Sequence, residues 1–176
     1  MTTRAAQTLS RPFTLGGLTV PNRIAMAPMT RQFSPGGVPG EDVAAYYARR
    51  AAGGVGLIIT EGTYVAHPSA GQSSRVPHFH GEDALAGWGK VVEAVHQAGG
   101  KIVPQLWHVG MTRTADATSS PEAVAVGPSG IALDGSSPAT GRAMTQADLD
   151  DVVSAFATAA ADAERLGFDG IELHGV

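Results

Sequence analysis

The sequence predicts an α/β fold built on a parallel sheet, and three observations predict it. Short runs that are apolar throughout recur along the chain, helix-length segments with an apolar stripe separate them, and Gly or Pro marks the junctions. Strands apolar on both faces are buried on both faces, which is the condition of a parallel sheet covered by helices. Two architectures satisfy this pattern: a doubly wound open sheet, or part of a (β/α)8 barrel. No Gly-x-Gly-x-x-Gly turn follows the first strand, which argues mildly against a dinucleotide-binding open sheet. Periodicity alone does not separate the two.

The elements follow in order. Phe13–Val20 reads as a small hairpin turning at Gly16-Gly17. Arg23–Pro28 is the first buried strand. A loop with Pro35-Gly-Gly37 and Pro39-Gly40 leads into a helix from Glu41 to about Ala52. Val55–Thr60 is the second strand, and a long loop crosses Ala66–Gly81. From Glu82, residues Leu85, Trp88, Val92 and Val95 recur at helical spacing up to Gly99-Gly100. Lys101–Trp107 is the third strand. The Ser/Pro/Gly-rich segment Val109–Ala143 shows no pattern; a structureless stretch of that length is a lid, a binding loop or a misreading. Thr145, with Asp148 three residues on, is a capping box. It opens a helix whose predicted stripe is Leu149, Val152, Val153, Phe156, Ala160, Ala163 and Leu166, closed by Gly167. Asp169–His174 is the fourth strand.

Composition narrows the function classes. A chain of 176 residues with 43% hydrophobic content can build one cored domain. A net charge of −4 leaves no basic footprint for nucleic acid or an anionic membrane. No apolar run approaches the roughly 20 residues of a membrane helix. Zero cysteines exclude disulfides, thiolate catalysis and cysteine-bound metal within these residues. The first eleven residues lack an apolar h-region, so the expected location is the cytoplasm.

In either architecture, ligands bind at the carboxyl ends of the strands. Pro28, Met29, Thr30 and Arg31 stand after the first strand, and Thr60, Glu61, Gly62 and Thr63 after the second. Gln105, Trp107 and His108 close the third, and Glu172 and His174 the fourth. Polar residues are common at strand ends, so any one of these is as readily structural as functional. All four strands breaking at the same end is a convergent polar rim above an apolar core. Gln105 is the most telling, because a buried amide must find partners for both its donors and its acceptor.

Five segments carry a family resemblance: Ala27-Pro-Met-Thr-Arg31, Tyr46-Tyr-Ala-Arg-Arg50, Gly54-Val-Gly-Leu-Ile-Ile-Thr-Glu-Gly62, Pro104-Gln-Leu-Trp-His108 and Gly167-Phe-Asp-Gly-Ile-Glu-Leu-His174. In order and spacing they resemble the Old Yellow Enzyme family of flavin oxidoreductases, over nearly the whole chain. The resemblance implies a TIM barrel, of which residues 1–176 would be the N-terminal half, with about four βα units after the hairpin. It implies FMN at the barrel mouth and NAD(P)H as reductant. Pro28, Met29 and Thr30 would lie against the flavin, with the Thr30 hydroxyl on a flavin carbonyl. Gly62 would let backbone approach the ring edge, and Gln105 would pair with the pyrimidine edge. Trp107 would wall the substrate pocket. His174 would donate to the carbonyl oxygen of an α,β-unsaturated substrate whose C=C bond accepts hydride.

The family pattern continues past His174 with a second His or Asn and then a Tyr, neither of which lies within these residues. A four-stranded half-barrel would keep two open edges and an uncovered apolar face, so self-association or a complementary half-barrel is expected. The competing readings are a catalytically silent half-barrel and a TIM-barrel glycosidase using Glu61 and Glu172. Elsewhere, His78 and His80 share a face if extended but lack an evident third ligand, and no metal site is expected. His96 reads as surface, His67 as a loop residue, and Arg49 and Arg50 with Glu41 as surface or inter-element ion pairs, each worth little.

Overall fold

The computed structural model describes residues 3–135 and 141–175. A short helix α1 (Arg4–Leu9), absent from the sequence reading, is capped by the Thr3 side chain. Strands β1 (Phe13–Leu15) and β2 (Leu18–Val20) form the expected hairpin, Leu15 opposite Leu18 across the two glycines. Then come β3 (Ala25–Met26), α2 (Glu41–Ala52), β4 (Leu57–Tyr64), α3 (Glu82–Gln97) and β5 (Lys101–Trp107). The chain continues through β6 (Ala125–Gly127), β7 (Gly141–Ala143), α4 (Gln146–Leu166) and β8 (Glu172–Leu173).

The main sheet has the order β3-β4-β5-β8, all parallel. Sequential order with no reversal is the arrangement of a barrel wall, not of a doubly wound sheet. The helices cover one side. Val43, Tyr47, Ile58, Trp88, Val91, Val95, Ile102 and Leu106 are at most 1% exposed and form one cluster between helices and sheet. The other side is open in part: Leu57 and Ile59 are half-buried, and Leu173 is 59% exposed.

Three expectations are corrected. Strand β4 runs to Tyr64, four residues beyond the expected end. The cause lies on its neighbour. Pro104, inside β5, has no N–H for the ladder, and the register slips there from Ile59↔Val103 to Gly62↔Gln105. Thr60 and Glu61 therefore oppose one residue, a β-bulge, which is where a proline in a sheet interior belongs. The stripe of α4 is also rotated. Its buried row is Ala155, Ala159 and Ala163, with Phe156 and Leu166 half-buried beside it and Val153 68% exposed. Small side chains at i, i+4 and i+8 let the helix approach closely. Finally, Val109–Ala143 is not structureless where it is described. It contains a 3₁₀ turn (Gly110–Thr112), and β6 pairs in parallel with β7; residues 136–140 lie outside the described residues.

The capping box of α4 is present: the Thr145 hydroxyl accepts from Asp148 N–H and the Asp148 carboxylate accepts from Thr145 N–H. Gly167 ends the helix at φ 85°, a left-handed position that costs a side-chain-bearing residue energy.

Candidate active site

The bulge re-aims the top of β4. Glu61 is fully buried, and its carboxylate takes three donors from Arg31: the backbone N–H at 3.0 Å, Nε at 3.1 Å and Nη2 at 2.8 Å. Glu61 N–H in turn donates to Tyr47 Oη at 2.8 Å. Burial, with the Glu61 charge added, raises the Tyr47 phenol well above its ordinary range, so it stays neutral. The Arg31 guanidinium lies 3.7 Å from the Tyr46 ring centroid, and Arg50 covers the same ring at 3.4 Å. A buried ion pair contributes little net stability, but it holds geometry. Here it ties the chain just after β3 to the top of β4. Pro28 is half-buried, and Met29 (64% exposed) and Thr30 are exposed.

Gly62, Gln105, Trp107 and His174 come together above the bulge. A Cβ on Gly62 would sit 2.5 Å from Trp107 Cε3 and 3.2 Å from Gln105 Oε1. The glycine is thus required by the side chains of the neighbouring strand, a role distinct from making room for a ligand. With no proline N–H available below it, Gln105 N–H turns to Thr60 Oγ1 at 3.1 Å. The Gln105 amide donates from Nε2 to Glu172 Oε2 at 3.2 Å. That contact sets which way the amide faces, and Oε1 accepts no hydrogen bond among the described residues. The His174 ring packs edge-on against Trp107, centroids 5.4 Å apart, and Trp107 meets Tyr64 at 5.3 Å. The His174 ring nitrogens make no hydrogen bond among the described residues, while its backbone N–H is anchored to Leu106 O at 2.9 Å.

Four of the seven predicted site residues therefore lie together, whereas Pro28, Met29 and Thr30 share no contact with them among the described residues and are linked only through Arg31, which binds Glu61 next to Gly62. The glycosidase reading fails on Glu61, whose carboxylate is sealed from solvent and saturated by Arg31. Arg31 and Tyr47 had no assigned role from sequence. The signal for them was a Glu inside an apolar strand, which demands a buried partner. Arg50 is a ring-stacking residue and donates to Tyr46 O, in place of the expected ion pair with Glu41. His96 bonds Asp169 at 2.8 Å. Among the described residues, no group of three His, Asp or Glu side chains could hold a metal ion, and no helix is long and apolar enough to cross a membrane.

Comparison with known proteins bears on this arrangement. The family model described as NADH:flavin oxidoreductase / NADH oxidase matches residues 8–176. The chain is 35% identical to 12-oxophytodienoate reductase 7 of Oryza sativa subsp. japonica, over 95% of this chain and 44% of that one. It superposes on morphinone reductase in complex with tetrahydroNAD with a TM-score of 0.83 at 37% identity, over 94% of this chain and 48% of that one. For the Old Yellow Enzyme from Pichia sp. AKU4542 the TM-score is 0.85 at 26% identity, over 96% and 46%. The chain spans about half the length of the relatives it matches.

Proposed function

The chain belongs to the NADH:flavin oxidoreductase / NADH oxidase family, and from that premise we propose that it contributes to an FMN-dependent ene reductase, with NAD(P)H as reductant and an α,β-unsaturated carbonyl compound as substrate. The observation that carries this reading is the Gln105 amide. Its orientation is set by Glu172, and it leaves an acceptor and one N–H open beside Gly62, Trp107 and His174. An acceptor and a donor at one point match the alternating pattern of a flavin's pyrimidine edge, so the residues fit the group. FMN, when bound, supplies the hydride chemistry, and the protein supplies orientation and electrostatics.

The roles then divide among the residues. Gln105 grips the pyrimidine edge. Pro28, Met29 and Thr30 lie along the ring, with the Thr30 hydroxyl on a ring carbonyl, held there by the Arg31–Glu61 tie. Trp107 walls the substrate. His174 donates a hydrogen bond to the substrate carbonyl oxygen and stabilises the negative charge that grows on it. Losing such a donor costs about 2.7–4 kcal/mol of barrier, a factor on the order of 10²–10³.

Residues 1–176 are on this reading the first half of the barrel. Among the described residues, both outer strands of the sheet, β3 and β8, pair on one edge alone. Closure takes strands beyond the four described, from a second copy or a complementary half. Those open edges also favour a second reading, in which this half is catalytically silent. Anaerobic consumption of NADPH with 2-cyclohexenone decides between them. Turnover that falls by on the order of 10²-fold in His174→Ala supports the ene reductase; absence of flavin and of turnover supports the silent half.

A further inference from the structure

Beside the proposed site lies a cavity of about 200 Å³ that the reaction as described does not use. Tyr64 is the shared wall: its ring meets Trp107 at 5.3 Å and His78 at 6.2 Å, and it lines the cavity. His67, His80, Ser119 and Ser120 line it as well. We propose that this cavity is a binding subsite for an acyl oxygen carried on a ring-sized body, the arm of the substrate remote from the reacting double bond. Its identification as a substrate arm rests on the ene-reductase reading; the binding chemistry does not.

The size is suitable. An apolar cavity of roughly 150 Å³ holds a benzene ring, so about 200 Å³ holds a ring and one small substituent.

The hydrogen bonding points to an acceptor. Gly110 N–H donates to His108 Nδ1 at 3.1 Å, which puts the proton of neutral His108 on Nε2. That Nε2–H donates to His67 Nδ1 at 3.1 Å, and Ser69 N–H approaches the same nitrogen at 3.2 Å. The proton of His67 is therefore on Nε2, where no described protein group accepts it. Both rings are kept neutral, because burial pushes His108 down to about 4 and holds His67 below its ordinary value. His78, on the cavity wall, has a buried Nε2 with no partner among the described residues. Buried polar groups without partners are rare in a folded protein, and a ligand oxygen is what this set lacks.

The backbone supports the same conclusion. Ser120 adopts φ 47°, which a residue other than glycine seldom does. Arg113, 4% exposed, holds it there by donating to the carbonyls of Ser119, Ser120 and Ala123. Strain that the surroundings enforce is concentrated at ligand clamps.

The test is a titration of the protein with benzoate, benzamide and toluene, read by NMR on the imidazole resonances of His67, His78 and His80. Saturable shifts of those resonances by benzoate or benzamide, at least tenfold tighter than toluene, are expected. A preference between the two separates a carboxylate from an amide carbonyl. His67→Asn preserves an acceptor toward His108 and deletes the Nε2–H, and should weaken binding about tenfold, the loss of one hydrogen bond to a ligand acceptor. Ser120→Gly suits the positive φ, keeps the fold and should weaken binding by releasing the clamp. No shift, equal affinity for toluene, or no effect of either variant overturns the inference. In steady state, His67→Asn should raise the KM of an acyl-bearing enone about tenfold more than that of 2-cyclohexenone, with kcat changed alike. If wild type reduces neither enone while benzoate still binds, the ene-reductase reading falls and the subsite stands.

Discussion

The two ends of the sheet are built to opposite plans. Where the strands begin, Asp169 is closed on every side. Oδ1 accepts from Lys101 Nζ at 2.8 Å, and Oδ2 accepts from Ile102 N–H at 2.9 Å and from His96 Nε2 at 2.8 Å. This locks the α4–β8 turn to α3 and to the start of β5. Where the strands finish, the Arg31–Glu61–Tyr47 layer is just as closed, but the layer above it is not. Gln105 Oε1 and the His174 ring nitrogens make no hydrogen bond among the described residues. In parallel barrels the lower end secures the fold and the upper end carries the chemistry. The molecule shows how this is done: saturated polar groups fix the backbone, and unsaturated ones are placed on top of them.

Substitutions can break or sharpen this contrast. Glu61→Ala should have the largest effect, destabilising by about 3–5 kcal/mol, because it strands a mostly buried Arg31 charge; urea unfolding measures it. A loss under about 1 kcal/mol would mean that Arg31 escapes to solvent and the layer is not closed. Asp169→Ala comes next, at about 1–3 kcal/mol, for it leaves Ile102 N–H unsatisfied. The same residue sets a pH dependence. Burial pushes the Asp169 carboxyl up, but hydrogen bonds from Lys101, His96 and Ile102 N–H outweigh it and hold the group below its ordinary value. Its contribution is present above the unfolded-state value of about 3.9 and is lost as pH falls through the lower folded value. Asp169→Asn should flatten that acid limb. Gly167→Ala should cost about 1–2 kcal/mol from the left-handed backbone alone, since the nearest atom to its Cβ would be Val92 Cγ1 at an ordinary 3.9 Å. His174→Ala should move stability least, within about 0.5 kcal/mol, although it should lower turnover most. A large loss of stability there would place His174 in the closed class.

What the sequence made legible was local. Helix α2 and strand β5 run as expected over Glu41–Ala52 and Lys101–Trp107, and the Thr145 capping box is where its spacing put it. In each case the signal and the structure lie within one helix, one turn or one strand. What it hid was long-range. The extension of β4 depends on Pro104, more than forty residues later, and Pro104 is only a breaker until its neighbour is known. The Arg31–Glu61 pair spans 30 residues and the His67–His108 pair 41. Ala155, Ala159 and Ala163 look neutral in an apolar stripe, and only close packing shows that the small row faces inward.

The most direct test of the account is a titration of FMN into the purified protein, wild type beside Gln105→Leu, followed by the flavin visible spectrum. The account predicts a saturable, stoichiometric shift in wild type and at least tenfold weaker binding in Gln105→Leu, as expected for loss of paired hydrogen bonds in a buried site. Equal affinity of the two proteins would contradict the assignment of the open Gln105 amide as the flavin's anchor.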